Sequence, residues 1–203
     1  RMQQANNIDE LLAKIQSSIS IVKQKIPELE ARNGSMWRFK KVLTIDLHIG
    51  RYKPNELKGK SYVELPKQLQ NKKCIINVIN KDDECFKWAI LSALYPKEKH
   101  ANRVKKYQNI EHNLKFTTFP MPVSDIHKFE RDNNISINLY GYDKGGGHLI
   151  QKCDVEREKH IDLLLYKEHY CWIKSFSRFC GKSKTDGKCR THYCSYCLQG
   201  YTS

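Results

Sequence analysis

The sequence predicts an α+β domain, and three observations predict it. Helical apolar spacing with polar starts fills the first half. Apolar alternation of period two, punctuated by tight turns, fills the second. Neither an internal repeat nor a low-complexity tract interrupts them.

Taken in order, residues 8 to 32 carry Ile8, Leu11, Leu12, Ile15, Ile19, Val22 and Ile26 at three- and four-residue steps. That spacing predicts an amphipathic helix, or two helices broken at Pro27, with Asn33-Gly34 as its stop. Residues 36 to 49 partly alternate, as a strand would. Arg51 to Lys60 reads as a loop, and Ser61 to Leu65 as a short extended piece ended by Pro66. Cys74 to Ile79 (CIINVI) is β-branched and continuous, a buried-strand pattern. Asn80 to Asp83 supplies a helix start, and Phe86, Ala89, Ile90, Ala93 and Leu94 form one apolar helical face that Tyr95-Pro96 ends. A basic helix is expected over Ala101 to Tyr107. Phe119 to Val123 reads as a stiff connector, and Val123 to Asp132 as a helix capped near Ser124 or Asp125. Ile135 to Tyr142, His148 to Lys152, Ile161 to Tyr166 and His169 to Ile173 read as strands of an antiparallel sheet, with turns at Asp143 to Gly147 and at Lys167-Glu168. The organisation expected is an N-terminal amphipathic helix (1–34), a mixed domain (35–179) and a basic, cysteine-rich tail (180–203).

Composition narrows the function classes. The 203 residues carry 36 Lys and Arg against 22 Asp and Glu, a net charge of +14. With 10% aromatic residues the chain has enough apolar surface to fold. No apolar run reaches the roughly 20 residues of a membrane span. No signal-peptide pattern opens the chain, and Arg1-Met2-Gln3 reads like the start of an excised fragment. Together with eight cysteines that are unevenly spread, this predicts an intracellular protein, cytoplasmic or nuclear, with free thiols rather than disulfides.

Cys85 carries the first chemical hypothesis. It follows a polar turn, and Asp82 as N-cap would place it in the first helical turn. There the helix dipole and free backbone N–H groups favour a thiolate and can hold an oxyanion. His169 opens a strand, where an imidazole could serve as its base. Asp82, Asp83 and Glu84 oppose this by raising the thiol pKa. The plain alternative is a buried structural thiol and a polar strand end.

DDECFKWAIL around Cys85 looks like the nucleophile motif of OTU-type deubiquitinases, with Asp82 three positions before the Cys, Phe86 just after and Ala89 four after. IDLLLYKEHYCWI looks like the OTU histidine strand, matching at Tyr166, His169 and Tyr170. Two departures stand out. Asp83 replaces a Gly, and Cys171 occupies the place of the acidic or amide residue two positions after the His. A broader resemblance runs through LTID at 43–46, SYVELP at 61–66, Asn80 to Ala93, Lys128 to Glu130, YGY at 140–142 and His169 to Phe179. It is similar to a domain of Polinton/Maverick-type transposable elements, where it lies near a protein-primed family B DNA polymerase. That family has Ile-Lys-Asn where this chain has Ile173-Lys174-Ser175.

The resemblance implies a papain-like/OTU-like fold and a thiol hydrolase acting on ubiquitin or a ubiquitin-like modifier, with no cofactor for catalysis. Cys85 is then the nucleophile, His169 the base, and Asp82 lies on the oxyanion side. Ser175 or Asp162 is the open choice for the third member. Asp82, Asp83 and Glu84 could also receive the basic tail of ubiquitin.

Cys194-x-x-Cys197 with Tyr201 reads as the first half of a zinc-finger hairpin, and Cys180, Cys189 and His192 are the candidates to complete a zinc site. Lys97, Lys99, Arg103, Lys105 and Lys106 form one basic region. From His169 onward Lys174, Arg178, Lys182, Lys184, Lys188 and Arg190 face only Asp186. Such regions suit non-specific nucleic-acid contact or a soluble cationic surface. Two further functions are therefore carried forward: a polyprotein-processing cysteine protease of the element, and a non-catalytic nucleic-acid-binding zinc module.

Overall fold

A five-stranded sheet with helices on both faces organises residues 51–203, one of two units into which the chain divides; the other is residues 1–50. The computed structural model describes residues 7–31, 38–41, 61–143, 146–181, 191–195, 198 and 200–202. The expected strand at 36 to 49 and the loop at 51 to 60 fall largely or wholly outside these.

In residues 1–50 the helix is α1 (Ile8–Glu30). The Asn7 side chain accepts the Glu10 N–H at 2.8 Å, satisfying one of the free first-turn donors. Pro27 does not break it. The proline lies near the C-terminal end, and the chain still closes there with the Ala31 N–H on the Pro27 carbonyl at 2.9 Å.

The second unit begins with α2 (Lys67–Lys72) and β1 (Ile75–Ile76), followed by α3 (Cys85–Leu94) and α4 (Ile126–Asn133). β2 (Ile135–Asp143), β3 (Gly146–Gln151), β4 (Lys159–Tyr166) and β5 (His169–Ile173) come next. α5 (Phe176–Cys180) and a separate hairpin of β6 (Thr191–Tyr193) and β7 (Gly200–Thr202) close the chain. The sheet order is β1-β5-β4-β2-β3.

Three expectations change. The sheet is mostly, not wholly, antiparallel: β2 and β4 run parallel, Ile137 beside Ile161. The β3 hairpin returns the chain to the end where β2 began, so the next strand must start there. Only Ile75 and Ile76 of the CIINVI run join the ladder, opposite Ile173 and Trp172. The basic stretch forms no α-helix but a single 3-10 turn, Val104–Lys106, with the Tyr107 hydroxyl bonded to the Ala101 carbonyl.

Alternation along β2 sorts the two cores. Ile135, Ile137 and Leu139 join Phe86, Ala89 and Ile90 of α3 and Phe129 of α4 on one face. Tyr140 and Tyr142 join Leu69 of α2 and Phe179 near the end of α5 on the other. Phe86 locks the first face through edge-on contacts to Phe129 and Tyr170, with ring centroids 5.0 and 5.2 Å away. The sheet thereby fixes the start of α3 against the start of β5.

Candidate active site

The turn from Asn80 to Glu84 sets the start of α3. Buried Asn80 donates through Nδ2 to the Asp82 carbonyl at 2.7 Å and to Asp82 Oδ1 at 2.9 Å. Asp82 Oδ1 also accepts the Glu84 N–H at 3.0 Å, and the Trp88 indole N–H reaches the same carboxylate at 3.0 and 3.1 Å. Asp82 is therefore not the N-cap. Glu84 holds that position without a side-chain cap bond and pairs with Lys87 at 2.7 Å. Asp82 organises the turn from two residues further out. Its carboxylate accepts from three internal donors, which anchors the turn while the residue itself stays exposed.

Cys85 is the first residue of α3 and only 1% exposed. Burial pushes its thiol up to about 11. The backbone N–H groups of Tyr170 and Phe86 pull the other way, and the charges of Asp82 and Asp83 add to the rise. Tyr170 directly follows His169, so the sulfur lies at the peptide that opens β5.

His169 is itself 1% exposed. Its Nε2 lies 2.9 Å from Asn77 Oδ1, and Asn77 Nδ2 donates to the Val63 carbonyl at 2.9 Å. The second bond fixes the amide, because only the NH2 side can donate to a carbonyl. The oxygen therefore faces His169, and Nε2 carries the proton in that bond. Tyr62 stands edge-on to the imidazole, centroids 6.3 Å apart. Beside this group lies a cleft of about 210 Å³ lined by Tyr62, Leu65, Leu69, Ile75, Asn77 and Asn102, among others.

The described side-chain hydrogen bond of His169 goes to Asn77, and the described bonds of Ser175 and Asp162 go elsewhere. Ser175 is the N-cap residue of α5, makes no side-chain cap bond, and gives its N–H to the Cys74 carbonyl at 3.2 Å. Asp162 bonds His160 Nε2 at 3.1 Å and Asn138 Nδ2 at 3.5 Å, beside β2. The orienting amide comes from upstream of the cysteine. One sequence signal pointed to it: Asn77 is the lone amide inside the apolar run Cys74–Ile79, and a polar side chain in such a run needs a partner.

In the tail, Cys180 ends α5 half-buried, its thiol pushed up to about 12, chiefly by burial. His192 lies on β6 opposite Tyr201, and Cys194 follows that strand. Cys189 and Cys197 lie outside the described residues. Among the described residues no group of three or more His, Cys, Asp or Glu side chains is disposed to hold a metal ion. None of the described helices is long and apolar enough to cross a membrane.

Comparison of the chain with protein-family models, with curated proteins and with solved structures finds no match to any of the three.

Proposed function

We propose that the chain is a thiol hydrolase of OTU-like type that cleaves ubiquitin or ubiquitin-like isopeptide bonds, with Cys85 as nucleophile, His169 as base and Asn77 as the orienting amide. The observation that supports the chemistry is the relay Val63 carbonyl–Asn77–His169 beside a cysteine at a helix start, its sulfur on the Tyr170 amide. The modifier and the origin in a Polinton/Maverick-type element rest on the two resembling motifs.

In this reading His169 Nδ1 takes the Sγ proton as sulfur bonds to the scissile carbonyl carbon. Backbone N–H groups at the start of α3 receive the oxyanion. Collapse breaks the C–N bond, and the imidazolium returns its proton to the departing amine. A water, deprotonated by the same ring, then attacks the thioester and releases the carboxylate and the thiol. Asn77 holds Nε2–H throughout and stabilises the imidazolium. With Cys85 1% exposed, substrate binding must open a path to the sulfur.

That burial favours a second reading, in which Cys85 is a core thiol and the chain is a non-catalytic nucleic-acid-binding module. A ubiquitin probe with a C-terminal electrophile separates the two. Labelling of the full chain that disappears in Cys85→Ala supports the hydrolase. Peptide cleavage without probe labelling moves the substrate to a polyprotein. Absence of thiol reactivity, with DNA retention that weakens steeply with salt, overturns the hydrolase in favour of the second reading.

A further inference from the structure

The apolar residues of α1 are spaced more strictly than an amphipathic surface helix requires. Ile8, Ile15, Val22 and Leu29 recur every seven residues. Leu12, Ile19 and Ile26 recur every seven between them, so steps of four and three alternate without a break through the whole helix. A helix packed on a globular core follows a 3.6-residue turn. An unbroken seven-residue repeat instead keeps its stripe on another helix that supercoils around it, the first set at d positions and the second at a. Ile8, Leu12 and Val22 are 74%, 52% and 57% exposed, and no α1 residue of described burial is buried. Six β-branched apolar residues lower the intrinsic helicity of these 23 positions, and a lone helix of this length is marginal in water.

We propose that α1 is a coiled-coil stem that joins copies of this chain, parallel and in register. The flanking charges choose the occupant and its direction. In a parallel pair a g position faces the e position of the partner's next heptad, which sets Lys25 against Glu30. An antiparallel pair would oppose Asp9 and Glu30, both acidic and both at e. Glu30 Oε1 also accepts the Phe39 N–H at 2.6 Å, which steadies the carboxylate at the end of the helix. Pro27 falls at b, on the outer face, where it leaves the seam intact.

Light-scattering mass of the full chain over a concentration series tests this. The expected mass is a multiple of 23.9 kDa. Ile19→Asp with Val22→Asp is expected to give the single-chain mass. Ile21→Asp, 47% exposed but off the seam at c, is expected to keep the assembly. Lys25→Glu alone should weaken association at least tenfold, and Lys25→Glu with Glu30→Lys should restore it. A wild-type chain that is monomeric at its highest soluble concentration overturns the stem, as does an Ile21→Asp chain that dissociates as fully as the seam variant. Failure of the charge swap to restore association overturns the parallel register.

Discussion

Replacing Asn77 by Ala removes the amide that the proposed mechanism needs most when charge develops. In the resting site the 2.9 Å bond joins two neutral groups and contributes about 1 kcal/mol, but to an imidazolium it contributes about 1.5–3 kcal/mol. The difference, about 0.5–2 kcal/mol, exists only once His169 has taken the thiol proton. Asn77→Ala should therefore lower kcat about 2- to 30-fold and leave KM unchanged. The lost bonds to His169 and Val63 should also lower folding stability by about 1–2 kcal/mol, or a few degrees in Tm, with the fold retained. The assay is steady-state hydrolysis of a fluorogenic ubiquitin conjugate, with thermal melts of the same samples. Unchanged kcat in Asn77→Ala, where His169→Ala is inactive, would show that the amide does not orient the base. A rise in KM at constant kcat would place Asn77 in substrate binding instead.

The other predictions concern charge and packing. Without a base, a thiol raised to about 11 is ionised to about one part in ten thousand at pH 7, so His169→Ala should alkylate at Cys85 with a rate rising tenfold per pH unit from 7 to 10. The wild-type rate should instead rise less steeply than tenfold per unit; identical slopes in the two proteins refute the pairing. His160 is raised, first by its hydrogen bond to Asp162, so its contribution to stability is complete below the unfolded value near 6.5 and is lost as pH climbs through the folded value. Urea midpoints compared at acidic and alkaline pH should show that loss in wild type and not in Asp162→Asn, and an equal loss in both contradicts it. Phe86→Ala, emptying the ring contacts above α3, should cost about 3–5 kcal/mol by chemical denaturation, and a cost under about 1 kcal/mol would mean the core closes over the space.

Much of the sheet was legible because β2, β4 and β5 are apolar runs bounded by turns such as Lys167-Glu168, whose residues both take positive φ. The parallel pairing of β2 and β4 was not. Strand direction depends on where the β3 hairpin delivers the chain, and alternation does not encode that. The start of α3 was legible from its polar turn, although the cap itself moved, because a carboxylate two residues upstream reaches the Glu84 N–H without being the terminal residue. The resemblance pointed to Ser175, downstream of His169, or to Asp162 on the neighbouring strand β4. Strand β1 lies beside β5 only after folding, so Asn77 reaches His169 from 92 positions away in sequence. A search for lone amides inside apolar runs would have reached it without topology.

At Cys85 three influences compete, and their sizes decide what the resting site is. Burial wins over the Tyr170 and Phe86 amides, and the acidic turn adds to it, so ionising the thiol alone costs about 3 kcal/mol more than in an open peptide. In the proposed mechanism an imidazolium at His169 offsets that cost, so the thiolate forms with its proton kept on the ring. On the proposed function the ion pair then forms by internal transfer as substrate arrives. In the proposed hydrolase, that arrangement accounts for the acidic turn beside Cys85. Asp82 and Asp83 oppose a bare thiolate, yet the same negative charge favours the imidazolium that must accompany it, and Asn77 holds that cation in place through Nε2.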